Sequence, residues 1–430
     1  MMTVAIFAVL IGMIMMGLPI AVSMGLTSVI FFIILGEIDT LTMIPARMYS
    51  STTGFPLLAI PFFILVGILM NTGGMTQRIF RLAQCMVGHI KGGLGHVNVV
   101  SSMIFAGMSG AAVADAAGLG IIEIEAMTKA GFPRRFSAAV TAASSTIGPV
   151  IPPSIPFVIF GSLTGTSVGR LFLGGFIPGL IMGLGMMITV YITSSKRGYP
   201  REKRASLKEF IDSALDAWSA ILTPIIIIGG ILVGIFTPTE ASVVAAIYAL
   251  ILTIGVYREL NIRDLPRIFW QTLENSVRVL FIISAAGIFG WLLIHQKIPE
   301  MVIKNLMALS HNPWVILVIL NIILLILGCF MEGISIMLLT IPIFMPLINK
   351  LGIDPVHFGV MMTLNLMVGL LTPPVGIVLY AVASVGNVPM WELAAELKWY
   401  IVAIIISLAL ITFIPGLVTF IPNLVMGPVK

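Results

Sequence analysis

Two Gly- and Pro-rich segments, residues 148–154 (GPVIPPS) and 369–374 (GLLTPP), interrupt long apolar stretches of this sequence. A proline removes a backbone donor and clashes with the carbonyl group four residues back, so each segment leaves carbonyl oxygens without helical partners. Free carbonyl oxygens at membrane depth bind alkali cations, and the N-terminus of a following half-helix presents N–H groups to an anion. The two segments therefore predict sites at which Na⁺ and a carboxylate bind side by side.

The groups in and around these segments supply the candidate ligands. The predicted Na⁺ ligands are Ser109, Asp115, Ser145, Gly148, Pro149, Gly328, Gly369 and Thr372. The predicted substrate contacts are Ser109, Pro153, Ser154, Asn365 and Pro374. We expect Na⁺ as coupling ion, and neither a cofactor, another metal nor a catalytic residue. A proline kink that serves helix packing alone is the alternative interpretation of one such segment, and two matched segments make it weaker.

Asp115 is the most informative single residue, because a carboxylate in an apolar membrane segment costs about 2.5–3.5 kcal/mol on insertion scales. It is expected to bind the cation or to hold backbone N–H groups of the nearby turn. The alternative is a helix tilted enough to bring Asp115 to water. Glu123 and Glu125 follow on the same segment, nearer to Lys129 and Arg134. We expect both glutamates to form solvated ion pairs.

Composition identifies the surroundings of these residues as a membrane. Of 430 residues, 59% are hydrophobic and 10% are charged, and the mean hydropathy is +1.12. A soluble domain carries about 25% charged residues. The apolar runs at 221–236, 314–330 and 400–413 are continuous rather than alternating, which favours helices and excludes a barrel. Residues 1–12 lack the basic start of a cleavable leader, so we expect them to begin the first membrane helix.

An internal repeat organises the chain. At an offset of 221 residues six Gly or Pro residues coincide between positions 107–165 and 328–386, where composition alone predicts roughly one. We predict a first repeat at 1–194, a linker at 195–216 and a second repeat at 217–430. The linker carries six basic residues, which places it in the cytoplasm. Basic residues at 258–267 require a second cytoplasmic loop, so each repeat crosses the membrane five times and the two repeats are inverted.

Each repeat contains the same three parts. In the first, they are an amphipathic arm at 72–91, a re-entrant hairpin at 92–129 and a broken helix at 137–160. In the second, they are an arm at 296–312, a hairpin at 313–350 and a broken helix at 357–380. The fold class is therefore an all-α polytopic membrane protein with two inverted repeats, two re-entrant hairpins and two discontinuous helices. Discontinuous helices paired across inverted repeats are typical of a transporter binding site.

Two other functions fit single features. The segment at 107–110 (GMSG) is similar to the GxSG motif of rhomboid intramembrane proteases, with Ser109 as nucleophile. That chemistry requires a histidine base at the depth of the serine, and every histidine is predicted near a helix end or in an arm. A channel is the second alternative, but no filter sequence or pore-lining polar helix supports it.

Longer sequence strings resemble one transporter family throughout the chain. These strings are IPFFIL at 60–65, GHIKGGL at 88–94, HVNVVSSM at 96–103, SGAAVAD at 109–115, AASSTIGP at 142–149, PPS at 152–154 and TPTEA at 237–241. They resemble the large membrane subunit of tripartite ATP-independent periplasmic (TRAP) transporters.

The resemblance implies a Na⁺-driven elevator-type transporter of the bacterial inner membrane. Ser109 and Asp115 then belong to the functional tip of the first hairpin, and residues 148–149 and 369–372 to the breaks that coordinate sodium. The implied partners are a small four-helix membrane subunit and a periplasmic substrate-binding protein. The implied substrate is a small carboxylate, with sialic acid slightly preferred over a C4-dicarboxylate. A stand-alone dicarboxylate/sodium symporter remains the alternative.

Overall fold

The apolar runs fold as helices that end at glycine, proline or capping residues. A computed structural model of the protein describes residues 2–428, and positions 1, 429 and 430, at the outer ends of the predicted repeats, lie outside the described residues. The described part contains α-helices, short 3₁₀ turns at 38–43, 55–58 and 262–264, a π-helical turn at 251–256, and no β-strand. The helices are α1 (Met2–Met15), α2 (Ile20–Ile34), α3 (Ile44–Thr52), α4 (Ala59–Thr72), α5 (Met75–Val87), α6 (Gly93–Ser109), α7 (Ala112–Lys129), α8 (Arg134–Ser145), α9 (Ile155–Thr164), α10 (Val168–Arg197), α11 (Leu207–Leu232), α12 (Pro238–Leu250), α13 (Leu265–His295), α14 (Ile298–Leu309), α15 (Pro313–Gly328), α16 (Gly333–Lys350), α17 (Pro355–Gly369), α18 (Ile377–Gly386), α19 (Met390–Phe413) and α20 (Gly416–Met426).

Seven helical segments of the described chain are long and apolar enough to cross a membrane. They are Phe55–Thr72, Val168–Arg197, Leu207–Leu232, Pro238–Val256, Ile262–His295, Gly333–Lys350 and Met390–Phe413. Large apolar side chains such as Ile188, Trp270 and Trp399 are exposed on these helices, which suits contact with lipid rather than water. The chain is a multi-pass α-helical membrane protein.

The helix bounds agree with the spacing of the predicted repeat. Helix α16 begins and ends 221 residues after α7, and α17 begins 221 residues after α8. Helices α5 to α10 correspond in the same order to α14 to α19, with bounds that differ by a few residues. The division at 1–194 and 217–430, and the inversion of one repeat against the other, stay predictions.

The helices form two groups. The scaffold group consists of α1–α4 and α11–α13, in which α13 packs against α2, α3 and α4, and α12 packs against α4 and α11. The hairpin group consists of α6–α10 and α15–α20, in which α7 packs against α8, α15 against α17, and α10 against α19 and α20. Helices α5 and α14 each contact a member of both groups.

The second part of each broken helix packs against helices from the other half of the chain. Helix α9 packs on α16 and α17, while α18 packs on α7 and α8. The contacts are close because glycines leave space for them. A Cβ atom added at Gly359 of α17 would lie 2.7 Å from the ring of Phe160 on α9, and one at Gly386 of α18 would lie 3.3 Å from Cβ of Ala138 on α8. This packing of each second part against the other half brings the two helix breaks into one helix bundle.

Helix α5 lies within the predicted first arm and is fixed to the scaffold group by one arginine. Nε of Arg78 lies 3.1 Å from Asp216 of α11, and Nη1 lies 2.8 Å from Glu259. The guanidinium carbon also stands 3.9 Å from the ring centroid of Tyr257. This cluster ties the arm to α11 and to the end of α12.

The structure adds two features to the predicted layout. The non-helical linker spans only 198–206, because α10 continues to Arg197 and α11 already begins at Leu207, where Ser206 and Glu209 form a capping box. The single helix α13 of the second half corresponds to two helices, α3 and α4, in the first. A turn that contains Gly54 and Pro56 separates these two helices, since Pro56 cannot donate to a helical hydrogen bond.

Candidate binding site at the helix breaks

The tip of the first hairpin is the turn between α6 and α7. Gly110 ends α6 in the left-handed conformation (φ 62°), and Ala111 is extended before α7 begins. A Cβ atom added at Gly110 would lie 2.6 Å from the carbonyl oxygen of Pro153. The tip is therefore in direct backbone contact with the break between α8 and α9, which requires glycine on both conformational and steric grounds.

Asp115 lies in the first turn of α7 and is buried, with 1% of its surface exposed. Its Oδ1 atom accepts a hydrogen bond from Oγ of Ser109, the last residue of α6. Its Oδ2 atom has no hydrogen-bond partner among the described residues and lies where a Cβ atom of Gly148 would be. Three residues predicted as cation ligands are thus brought together, and one carboxylate oxygen faces the helix break without a partner.

The backbone of the first break is partly hydrogen-bonded within itself. Gly148 donates to the carbonyl oxygen of Ser145 (3.2 Å), and Ser154 Oγ donates to that of Pro149 (2.5 Å). Ser154 also accepts from the backbone N–H of Phe157 (3.3 Å), so it is the N-cap of α9. Ser145 Oγ donates back to the carbonyl oxygen of Ala142. The hydroxyl groups of both serines are therefore bonded to backbone groups of this segment.

The second break touches the second hairpin tip in a related way. A Cβ atom added at Gly369 would lie 2.7 Å from the carbonyl oxygen of Gly328. The N–H of Val375 donates to the carbonyl oxygen of Cys329 (3.1 Å). Thr372 is half-buried, and its Oγ1 atom donates to the carbonyl oxygen of Val368 (2.7 Å). Gly328 and Gly369 are thus in backbone contact, and Thr372 lies three residues further along the same break. The repeat position of Asp115 is Ile336, and the carboxylate of this tip, Glu332, caps α16 by accepting from Ser335.

Two predicted substrate residues are in different surroundings from the others. Asn365 is fully buried, and its Nδ2 atom donates to Oδ1 and O of Asn321 on α15 (2.8 and 3.0 Å). Asn321 in turn donates to Thr412 of α19 (3.1 Å). This amide is part of a contact between helices rather than of the Ser109–Asp115–Gly148 cluster. Pro374 is exposed, whereas Pro153 is buried against Gly110.

The prediction for Glu123 is wrong. Only 1% of the residue is exposed, and neither carboxylate oxygen has a hydrogen-bond partner among the described residues. Glu125 forms the predicted ion pair with Lys129 (3.5 Å) at the surface. Helical geometry explains why Glu123 is buried, since positions 115, 119, 123 and 127 share the face of α7 that packs inward. Residue 125 lies on the outer face.

Residues of the scaffold group that the sequence did not single out also contact the first tip. A Cβ atom added at Gly67 of α4 would lie 3.3 Å from Cα of Ser109. A Cβ atom added at Gly107 would lie 2.8 Å from Cβ of Pro224, which is inside α11. A proline within the otherwise continuous helix α11 is the one sequence signal that could have drawn attention to this position.

Among the described residues, no histidine is a hydrogen-bond partner of Ser109, as a serine nucleophile would require. Its hydroxyl group donates to a carboxylate, and the ring nitrogens of three histidines bond elsewhere in the described chain. His96 is hydrogen-bonded to the carbonyl oxygen of Lys91, and His357 to that of Ile411. His295 is hydrogen-bonded to the carboxylate of Glu37.

Comparison with known proteins decides the family. Residues 7–417 match the family model of the tripartite ATP-independent periplasmic transporter, DctM component. The chain belongs to this family. It is therefore a TRAP transporter large permease, an inner-membrane transport subunit and not an enzyme, and the protease alternative is excluded.

Relatives of this large permease match over nearly their whole length. The sialic acid TRAP transporter large permease protein SiaM of Vibrio cholerae is 42% identical over 97% of both chains. The C4-dicarboxylate TRAP transporter large permease protein DctM of Pseudomonas aeruginosa is 38% identical over 92% of both chains. Among solved structures, the YdaH transporter of Alcanivorax borkumensis has a TM-score of 0.65 over 91% of this chain and 90% of its own, at 15% identity. That last similarity shows a shared transporter fold.

Proposed function

We propose that this large permease carries out Na⁺-coupled uptake of a small organic carboxylate by an elevator mechanism. The observation that carries the proposal is the convergence of Ser109, Asp115 and Gly148, in which a buried carboxylate oxygen faces a helix break without a partner. A buried, uncompensated negative charge is costly, so the site favours a bound cation.

The first cation site combines a carboxylate, a hydroxyl group and backbone carbonyls. The Ser109 hydroxyl group donates a hydrogen bond to Asp115, which leaves the lone pairs of Ser109 Oγ available to a cation. Oxygen ligands of this kind suit a hard alkali ion such as Na⁺. Thr372 and the backbone of Gly328 and Gly369 form the second proposed cation site, which supplies neutral oxygens only.

The proposed substrate site lies beside the first break, where α9 begins. Ser154 caps this helix through the N–H of Phe157, and Pro156 has no N–H. The helix dipole and the remaining N–H of Ile155 attract a carboxylate. Pro153 and Ser109 border the same place. Sialic acid is the preferred substrate and a C4-dicarboxylate the second candidate, since the relatives named for sialic acid and for C4-dicarboxylates are 42% and 38% identical to this chain.

The division into two helix groups supports the proposed elevator mechanism. The hairpin group, with both breaks, is proposed to move against the scaffold group, and α5 and α14 join the two as arms. A small four-helix membrane subunit and a periplasmic binding protein complete the transporter, as the tripartite family name implies. A stand-alone symporter is the alternative, and it would need neither partner.

The test is uptake of radiolabelled sialic acid into proteoliposomes that hold the permease and its small subunit. We expect uptake only when the binding protein is outside and Na⁺ is directed inward. In a second experiment, uptake of a radiolabelled C4-dicarboxylate is measured with a binding protein specific for C4-dicarboxylates. Uptake by the permease alone would contradict the tripartite mechanism, and uptake driven by a pH gradient without Na⁺ would contradict sodium coupling.

A further inference from the structure

Glu123 is a second buried carboxylate that the proposed transport chemistry does not use. It lies two helical turns after Asp115 on the inward face of α7, between Leu119 and Met127. Both of its oxygens are buried without a hydrogen-bond partner in the described chain. An ionised carboxylate in such surroundings must be compensated or neutralised, because the cost of burying an isolated charge far exceeds that of a neutral polar group.

Compensation by a neighbouring positive charge is absent from the described residues around α7. The helices packed against it are α4, α6, α8 and α18. The titratable and charged groups on these helices and on α7 itself are His96, Asp115, Glu125, Lys129, Arg134, Arg135 and Tyr380. His96 is hydrogen-bonded to the carbonyl oxygen of Lys91. Lys129 forms an ion pair with Glu125. Arg134 donates to the carbonyl oxygen of Gly386 (2.5 Å). No ion pair joins any of these groups to Glu123 among residues 2–428.

A metal cation would also lack ligands at this position. Both α7 and α8 are regular helices here, so their carbonyl oxygens are bonded within the helices. The Thr141 hydroxyl group, which Glu123 approaches on α8, accepts from Asn98 Nδ2 (2.6 Å), and Ser144 donates to Asn98 Oδ1 (2.6 Å). Of these groups, only the Thr141 hydroxyl group is within reach of Glu123. One hydroxyl group beside a carboxylate supplies too few oxygen ligands for a metal cation, unlike the open carbonyls of the two breaks.

We propose that Glu123 is a proton-binding site: its carboxyl group is held as the neutral acid while α7 packs against α8. The proton removes the charge without requiring further ligands, and it gives the carboxyl group a donor for the Thr141 oxygen. Asp115 is then the only negative charge on the inward face of α7. This proton is separate from the coupling ion, and only the Na⁺ comparison below rests on the proposed function.

Infrared spectroscopy of the purified permease at neutral pH tests the proton directly. We expect a C=O stretching band of a protonated carboxylic acid that disappears in Glu123→Gln and persists in Glu125→Gln. Asp115→Asn separates any contribution from the other buried carboxylate. Thr141→Val keeps the shape but removes the hydroxyl group, and it should shift the band. Identical spectra of the unmodified protein and Glu123→Gln, or no effect of Thr141→Val, would overturn the proposal.

A Na⁺ titration separates a proton site from a cation site. Thermal stability of the purified protein is followed as NaCl replaces KCl. Glu123→Gln should leave the half-saturating Na⁺ concentration unchanged, because a neutral amide replaces a neutral acid. An increase of about tenfold or more would make Glu123 a cation ligand and overturn the proposal. Absence of any Na⁺ effect in the unmodified protein would instead contradict the proposed sodium coupling and leave the infrared result standing.

Discussion

The Oδ2 oxygen of Asp115 lies so close to Gly148 that it would collide with a Cβ atom at position 148. Gly148 and Asp115 belong to different helical segments, and glycine alone allows the carboxylate of the hairpin to reach the backbone of the break. The proposed cation site depends on this approach.

Gly148→Ala should therefore abolish Na⁺-dependent uptake. The added Cβ atom collides with Oδ2 of Asp115, and overpacking of this kind costs about 1–3 kcal/mol. The measurement is uptake together with Na⁺-dependent thermal stability. Gly229→Ala is the control, since a Cβ atom there has nothing within 4 Å. Normal Na⁺ dependence of Gly148→Ala would argue against the site.

Asp115→Asn should remove Na⁺-dependent stabilisation while the protein still inserts and assembles, because a neutral amide is easier to bury than a charge.

Ser109→Ala should raise the half-saturating Na⁺ concentration by about tenfold or more, the effect of losing one bond of about 1.5–3 kcal/mol to a charged group. Titration of the thermal stability with NaCl measures both.

Glu125→Ala is the appropriate control for these two variants, because Glu125 lies exposed on the outer face of α7. If Asp115→Asn responded to Na⁺ like the unmodified protein, the carboxylate would not be a ligand.

Gly369→Ala tests the second break. A Cβ atom at this position would lie 2.7 Å from the carbonyl oxygen of Gly328, so the hairpin tip and the break must separate. We expect loss of uptake. Gly333→Ala, at the same tip, brings its Cβ atom only to 3.4 Å from Leu366 and should transport normally. Equal activity of the two variants would show that close contact at Gly369 is unnecessary.

Asn365→Ala distinguishes a substrate contact from a contact between helices. The bonds to Asn321 predict a loss of about 1–3 kcal/mol of stability, with little change in the substrate concentration that gives half-maximal uptake. Asn321→Ala and the double variant complete a double-mutant cycle, in which the effects should be strongly non-additive. An altered substrate affinity at unchanged stability would instead restore Asn365 to the substrate site.

Arg78→Ala should weaken the attachment of α5 to the scaffold group. Its two ion pairs and the contact with Tyr257 are partly exposed, so the expected loss is about 1–2 kcal/mol and decreases at high salt. Thermal stability and uptake rate are compared at low and high ionic strength. Arg81→Ala, an exposed arginine on the same helix, is the control. Equal salt dependence of the two variants would contradict the anchoring role.

The helical segments and their interruptions can be predicted from the order of residues alone. Continuous apolar runs must satisfy their backbone groups internally, and Gly and Pro stop helices for local reasons, so α7, α16 and both breaks were predictable. A carboxylate within an apolar run also identified Asp115 as unusual before any contact was known. These are properties of neighbouring residues, and they need no knowledge of which helices pack together.

The contacts of each side chain, in contrast, depend on how the helices pack together. Periodicity places Asp115 and Glu123 on one face of α7, but burial of that face depends on α8 and α18, which come from different halves of the chain. Glu123 was therefore expected in water and is buried. In the same way Asn365 lies with Asn321, 44 residues away, and not at the break four residues after it. The proximity of Gly148 to Asp115 likewise results from helix packing, because long-range contacts are set by complementary surfaces that local sequence does not encode.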